Sequence, residues 1–160
     1  MKKDIRLAAF LALSVVLSLI ESFIPIINGS FFGIKVGISN VVFIYILYKY
    51  SYKEAIFLSI LRVILIGMIR TGIFNTTFFF SLSGALVSMT MMFLFKKITK
   101  LSIIGISIIG SISHMMTQLF CTFLFIENFN ILYIMPLILV SSCITGIITG
   151  IFSKMLIEKI

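Results

Sequence analysis

Apolar runs of membrane length alternate along this 160-residue chain with short breaks that carry its cations, and few folds accept such a pattern. Crossing the hydrocarbon core takes about 20 apolar residues as a helix, because backbone groups inside a bilayer have to be satisfied within the helix itself. The runs place helices at about 5 to 26, 36 to 50, 53 to 72, 76 to 95, 101 to 125 and 130 to 153. The second is short, but Gly33 and Gly37 bound it on one side and Lys49 and Lys53 on the other. With 61% hydrophobic residues, 11% charged residues and a mean hydropathy of +1.25, the chain lies far outside the range of soluble globular domains. The expected fold is an all-α integral membrane protein, a bundle of six transmembrane helices. No Pro/Gly/Ser-rich linker or long charge run divides the chain, so residues 1–160 read as a single domain.

The cations set the orientation. Lys2, Lys3 and Arg6 precede the first run, Lys49 and Lys53 follow the second, Lys96, Lys97 and Lys100 follow the fourth, and Lys154 and Lys159 close the chain. Positive charge collects on the cytoplasmic side, so both termini are expected there, and an even number of crossings is required. Six crossings satisfy this without exception. The run from Leu7 to Ile20 ends in Glu21-Ser22-Phe23 rather than in a small-x-small cleavage site, so it reads as a retained first helix.

Several function classes fall away. The formal net charge of +8 sits in clusters between apolar runs with no aromatic-basic stripe, which argues against nucleic acid as a partner. Cys121 and Cys143 lie inside apolar runs without a CxxC or His-rich spacing, so they read as buried free thiols. His114-Met115-Met116 and Met89-Thr90-Met91-Met92 do not make a metal site, because adjacent helical residues point in different directions and the chain has one histidine. Those methionines read as lipid-facing or gap-filling. No cofactor is implied, and no Gly-x-x-x-x-Gly-Lys-Ser/Thr loop is present, so any energy has to come from other polypeptides or an ion gradient.

Three cations are not accounted for by topology: Lys35, Arg62 and Arg70. Arg62 lies in the middle of an apolar run, where a charge facing lipid costs roughly 3 kcal/mol or more, so it should face a polar cavity or a partner. Threading the helices alternately puts Lys35, Arg70 and Glu21 near the outer ends and Asn40 about one turn into the second helix. His114 falls near mid-depth on the fifth helix, with Gln118 one turn outward on the same face, and Ser81 and Ser83 lie at a similar level on the fourth. The shared depth suggests a pocket that opens outward and closes toward the cytoplasm. With Glu21 and Glu127 as the outer acids, the set is net positive and suits a carboxylate or phosphate ligand. Each residue also admits a plainer role. Arg62 could pair with Glu21 alone, Arg70 could snorkel, Lys35 could be solvated, His114 could be a satisfied core histidine, and Asn40 and Gln118 could be interhelical glue.

Small residues at helical spacing mark close helix packing: Ser81, Gly84 and Ser88 on the fourth helix, and Ser142, Gly146 and Gly150 on the sixth. Ala8 and Ala12, near the cytoplasmic end of the first, are the pair that would suit a partner subunit.

The ordered set Gly33-Ile34-Lys35-Val36-Gly37-Ile38-Ser39-Asn40, Leu61-Arg62, Phe80-Ser81-Leu82-Ser83-Gly84, Ser113-His114 and Gln118 resembles the bacterial Gx transporter family, also labelled heptaprenyl diphosphate synthase component I, over about residues 6 to 157. The resemblance places Gly33, Lys35, Gly37, Asn40, Arg62, His114 and Gln118 at recurring family positions, with Met115 where the family often has Asn. That family is similar to the S components of energy-coupling factor (ECF) transporters, six-helix bundles of the bacterial cytoplasmic membrane that bind vitamins or related small molecules from outside. The likeness implies coupling and ATPase subunits as partners, with an Ala-x-x-x-Ala pattern corresponding to Ala8 and Ala12 at the interface.

The synthase label implies different chemistry, since prenyl diphosphate synthesis needs aspartate clusters to hold magnesium. Here the acids are Asp4, Glu21, Glu54, Glu127 and Glu158, with no two close in sequence, so the chain is not expected to be an enzyme. The leading expectation is a substrate-binding subunit for a small anionic molecule, with Glu21, Lys35, Asn40, Arg62, Arg70, His114 and Gln118 as its contacts. The alternative is a non-catalytic membrane subunit or scaffold beside a prenyl synthase component or in membrane electron transfer. A solo carrier using Glu21 and His114 is a third, weakened by the lack of an internal repeat.

Overall fold

A computed structural model of the chain describes residues 2–23, 37–72, 75–127 and 129–159. Among these, six α-helices follow in order: α1 (Lys2–Phe23), α2 (Ile38–Lys49), α3 (Tyr52–Ile66), α4 (Thr76–Ile98), α5 (Ile103–Ile126) and α6 (Met135–Lys159). A π-helical turn, Gly67–Thr71, continues α3, and a 3₁₀ segment, Phe129–Ile134, leads into α6. The helices α4, α5 and α6 are each long and apolar enough to cross a membrane, which makes this a multi-pass membrane protein.

Local chemistry starts and stops these helices. Gly37 enters α2 with φ 75°, a left-handed conformation that a side chain would strain, and the Asn40 amide donates back to its carbonyl at 2.8 Å. Asn75 caps α4 by accepting from the Thr77 amide, and Ser102 caps α5 by accepting from the Gly105 amide, both at 3.2 Å. At the start of α3 the Ser51 amide donates to Glu54 at 3.0 Å, and Glu54 also pairs with Lys3 at the start of α1.

The shortest helix sits innermost. Val41 to Leu47 are all buried, because α2 is enclosed by α1, α3 and α6, and its apolar residues run all the way round rather than in a stripe. Phe43, Ile44, Ile46 and Leu47 pack with Ala55, Leu58, Met89, Met92 and Ile106 into the main core. Two of the methionines expected to fill gaps do so, since Met89 and Met92 are buried there.

Contacts fix the helix directions. The start of α1 meets the start of α3 through Lys3 and Glu54. Tyr52 at the start of α3 stacks on Phe93 near the end of α4 at 4.3 Å, and Lys96 beyond it donates to the Leu47 carbonyl near the end of α2 at 2.6 Å. The start of α5 lies against the end of α6, where the Ser107 hydroxyl bonds Thr149 at 2.7 Å. The lysine-bearing breaks therefore gather at one end of the bundle, where the core is densest.

Glycines set the α5–α6 distance. A Cβ on Gly146 would come within 2.7 Å of the Ile108 Cα, and one on Gly150 within 2.8 Å of the Ile104 Cα, so the backbones are as close as glycine permits. The Ser142, Gly146 and Gly150 stripe is thus a packing device.

Most helix ends differ from the sequence expectation by a few residues, α4 for instance running on to Ile98 rather than 95. The first helix begins at Lys2, because its charged first turn continues the helix into the water layer. The third widens into a π turn over its last five residues, with the Gly72 amide donating to the Gly67 carbonyl at 2.7 Å. The sixth starts at Met135 and runs to Lys159, the preceding residues being 3₁₀. Cys121 and Cys143 are free thiols but half-buried, and the Cys121 thiol lies 3.3 Å from the Ser83 hydroxyl.

Gly146→Ala should destabilise the bundle by about 1–3 kcal/mol through overpacking against a backbone that cannot yield. Gly105→Ala, whose added Cβ meets only ordinary contacts at 3.5 Å, should be neutral or mildly stabilising. Thermal unfolding of the two variants in detergent checks the pair.

Candidate functional site

The end of the bundle away from the lysine clusters encloses a cavity of about 560 Å³. Its lining comes from the end of α1, the start of α2, the end of α3 with its π turn, the start of α4, the outer half of α5 and the start of α6. Glu21, Asn40, Arg62, Arg70, His114 and Gln118 all border it. Lys35, with Gly33, lies outside the described residues.

Arg62 anchors the wall. It is 8% exposed, and its Nη1 donates to the Ser39 hydroxyl at 2.8 Å and to the Asn40 side-chain carbonyl at 3.1 Å. The guanidinium carbon stands 4.7 Å from the centre of the Phe43 ring, so one face of the charge rests on an aromatic quadrupole. Glu21, itself buried, accepts from the Ser39 amide at 3.2 Å. Ser39 therefore joins the two charges, its hydroxyl holding the cation and its amide the anion, and ties α1, α2 and α3 together at one residue. The pairing of Arg62 with Glu21 considered from sequence holds as an attraction between the two charges, and Ser39 is bonded to both.

On the opposite wall Gln118 Nε2 and His114 Nε2 are 3.2 Å apart, one helical turn from each other on α5. With the amide as donor, His114 accepts at Nε2 and carries its proton on Nδ1. Room for the ring comes from α4, because a Cβ on Gly84 would stand 3.0 Å from His114 Nδ1 and Cε1. Gly84, read from sequence as a packing glycine, is one, its Cβ position lying 3.2 Å from the His114 carbonyl, and it admits the histidine ring as well.

At the mouth, Arg70 is exposed and sits in the π turn of α3. A π turn inserts one residue into the helical repeat and rotates the residues beyond it, a distortion frequent at functional sites. Gly67 opens this turn beneath Phe78 of α4, and any Cβ there would come within 2.6 Å of the ring. Ser81 lines the cavity, whereas Ser83 turns toward Cys121 and the Phe80 carbonyl. Glu127 is exposed at the end of α5 and does not line it. Met115 does, with its thioether where a polar residue would alter the lining.

Sequence reasoning did not assign roles to Ser39, Ser18, Ser111, Thr122 and Thr145, which also border the cavity. Serine and threonine are common throughout membrane helices, where their hydroxyls bond the preceding turn, as Ser111 and Thr122 do here. Ser39 carried a signal of place, as the residue before Asn40 in the stretch from Gly33 to Asn40, but not of role. Ala8 and Ala12 lie exposed on one face of α1 beside Ile5, Leu13 and Val16. Among the described residues no three His, Cys, Asp or Glu side chains gather as a metal site would require.

Fold and cavity together define a multi-pass helical membrane protein with an arginine-anchored chamber, lined by both polar and apolar groups, at one end. A family model described as heptaprenyl diphosphate synthase component I matches residues 10–156, and the chain belongs to that family. No curated protein and no solved structure matches it significantly.

Ser39→Ala should cost about 1.5–3 kcal/mol, the usual worth of a hydrogen bond to a charged group, because Arg62 loses its shorter bond while the Ser39 amide still holds Glu21. Asn40→Ala, which removes the longer contact, should cost less. Thermal unfolding of both variants in the same detergent checks the order.

Proposed function

We propose that this protein is the ligand-capturing membrane subunit of an uptake system, taking a small anionic molecule into its cavity from the side opposite the lysine clusters. The supporting observation is the placement of Arg62: a buried guanidinium, fixed by Ser39, Asn40 and Phe43, on the wall of a chamber rather than in an apolar interface. A volume of about 560 Å³ falls within the range of small-molecule sites. Arg62 and Arg70 outnumber Glu21 on the lining, and guanidinium groups suit carboxylate and phosphate. Gln118 and His114 across the chamber add polar groups that orient such a ligand.

On this reading the chain crosses the bacterial cytoplasmic membrane six times with both termini inside, α2 being carried within the bundle. It resembles ECF S components in layout. The exposed Ala8 and Ala12 offer a flat strip on α1 for a coupling subunit, whose ATPases supply the energy that this chain lacks a phosphate-binding loop to extract. The chain is not itself a catalyst of prenyl transfer, since its acids do not cluster.

The family's description supports a second reading, a non-catalytic membrane component beside a prenyl synthase. Native mass spectrometry of protein gently extracted from its source membrane separates the two. Wild type should carry a small anionic molecule, and Arg62→Ala and Arg70→Gln should each weaken it by roughly 10- to 100-fold, the equivalent of one charged hydrogen bond. Arg70→Gln is informative even if Arg62→Ala misfolds, because Arg70 is exposed at the mouth. An empty wild type accompanied by a stoichiometric synthase subunit would overturn the uptake reading.

A further inference from the structure

A second recess, of about 380 Å³, lies at the lysine-bearing end, far from the chamber and unrelated to the reading above. It is framed by the end of α2, the turn into α3 and the end of α4. Its floor is aromatic: Tyr52 and Phe93 stack at 4.3 Å, and the Tyr52 hydroxyl is steadied by a 3.1 Å bond to Thr90, whose own proton goes to the Leu86 carbonyl. Lys96 and Lys97 line it as well, with Leu47, Tyr50 and Ser51.

Lys96 is held in place rather than left to snorkel. It is half-buried, donates to the Leu47 carbonyl at 2.6 Å, and lies 4.3 Å from the centre of the Tyr48 ring. An ammonium has three donors, and the Leu47 carbonyl occupies one of them. The neighbouring charges are Lys49, Lys53 and Lys100, all exposed, and Glu54, which is occupied by Lys3 and the Ser51 amide. The surroundings are therefore net positive.

We propose that this recess binds the phosphate of an anionic phospholipid headgroup, with Lys96 and Lys97 on the phosphate and the Tyr52–Phe93 stack against the glycerol and upper acyl segments. A fixed cation above an apolar floor, at the level where helices end, matches the two halves of a lipid molecule, and basic pockets between helices on the cytoplasmic side are suited to such headgroups. The Tyr52–Phe93 stack beside the two lysines favours a lipid over a free phosphate ester, although the phosphate chemistry is common to both.

Thermal unfolding of the full chain in vesicles tests this. Wild type in phosphatidylcholine containing phosphatidylglycerol should melt several degrees higher than in phosphatidylcholine alone, as expected for a ligand that binds only the folded state. Lys97→Gln should lose at least about half of that rise and Lys96→Gln with Lys97→Gln nearly all of it. The exposed pair Lys49→Gln with Lys100→Gln, outside the recess, should keep it. Lys97→Gln carries the test if loss of the Lys96 contact unfolds the double variant. A comparable rise produced by inorganic phosphate in phosphatidylcholine alone, and lost in Lys97→Gln, would support the phosphate site with a soluble source. Retention of the phosphatidylglycerol effect by Lys97→Gln, or its equal loss from the Lys49/Lys100 pair, would overturn the proposal.

Discussion

The hydrogen bonds from Arg62 to Ser39 and Asn40 are the interaction around which the rest is arranged. A guanidinium within an apolar helix is tolerable only if its charge is solvated by protein, and three elements contribute to that. The start of α2 supplies the two oxygens, Phe43 supplies an aromatic face, and Glu21 of α1 holds the Ser39 amide. Gly37, in the left-handed conformation, starts α2 where these acceptors stand at the level of Arg62. Buried ion pairs are poor sources of stability but good fixers of geometry, and here the outcome is a cation displayed on a cavity wall at a defined depth.

Glycines set how closely the helices of the bundle approach. From the base of the chamber toward the lysine-bearing end, Gly146 and Gly150 let α6 onto the α5 backbone, and Gly110 leaves space that the Met92 side chain fills. Helix association in membranes draws on such contacts because lipid is as apolar as leucine. Toward the chamber, Gly67 makes room for the Phe78 ring, and Gly84 for both the His114 ring and the His114 carbonyl, so glycine there serves ring and backbone alike.

The chamber and the bridge at Ser39 bear on the proposed function. On the uptake reading, a ligand captured in the chamber would be released by movement of the helices around α2. The residues that would report ligand, Arg62 and Glu21, are joined through Ser39 to α1, the helix whose exposed face carries Ala8 and Ala12. A change at the chamber is thereby mechanically adjacent to the surface on which a partner would act.

The sequence by itself determined the class of protein, the number and approximate position of its helices and the end at which its cations lie, because apolar length and charge placement are properties of the chain read against a bilayer. It also singled out Arg62, since a charge in an apolar run is conspicuous without any structure. The role of Ser39 was illegible, because one serine resembles every other until its hydroxyl and its amide are seen to face different charges. The π turn at Gly67–Thr71 and the ring that Gly84 admits were equally hidden. Only the tertiary structure decided these, because whether a glycine admits a ring or a backbone depends on the opposing helix, and that contact arises from packing between segments far apart in the chain.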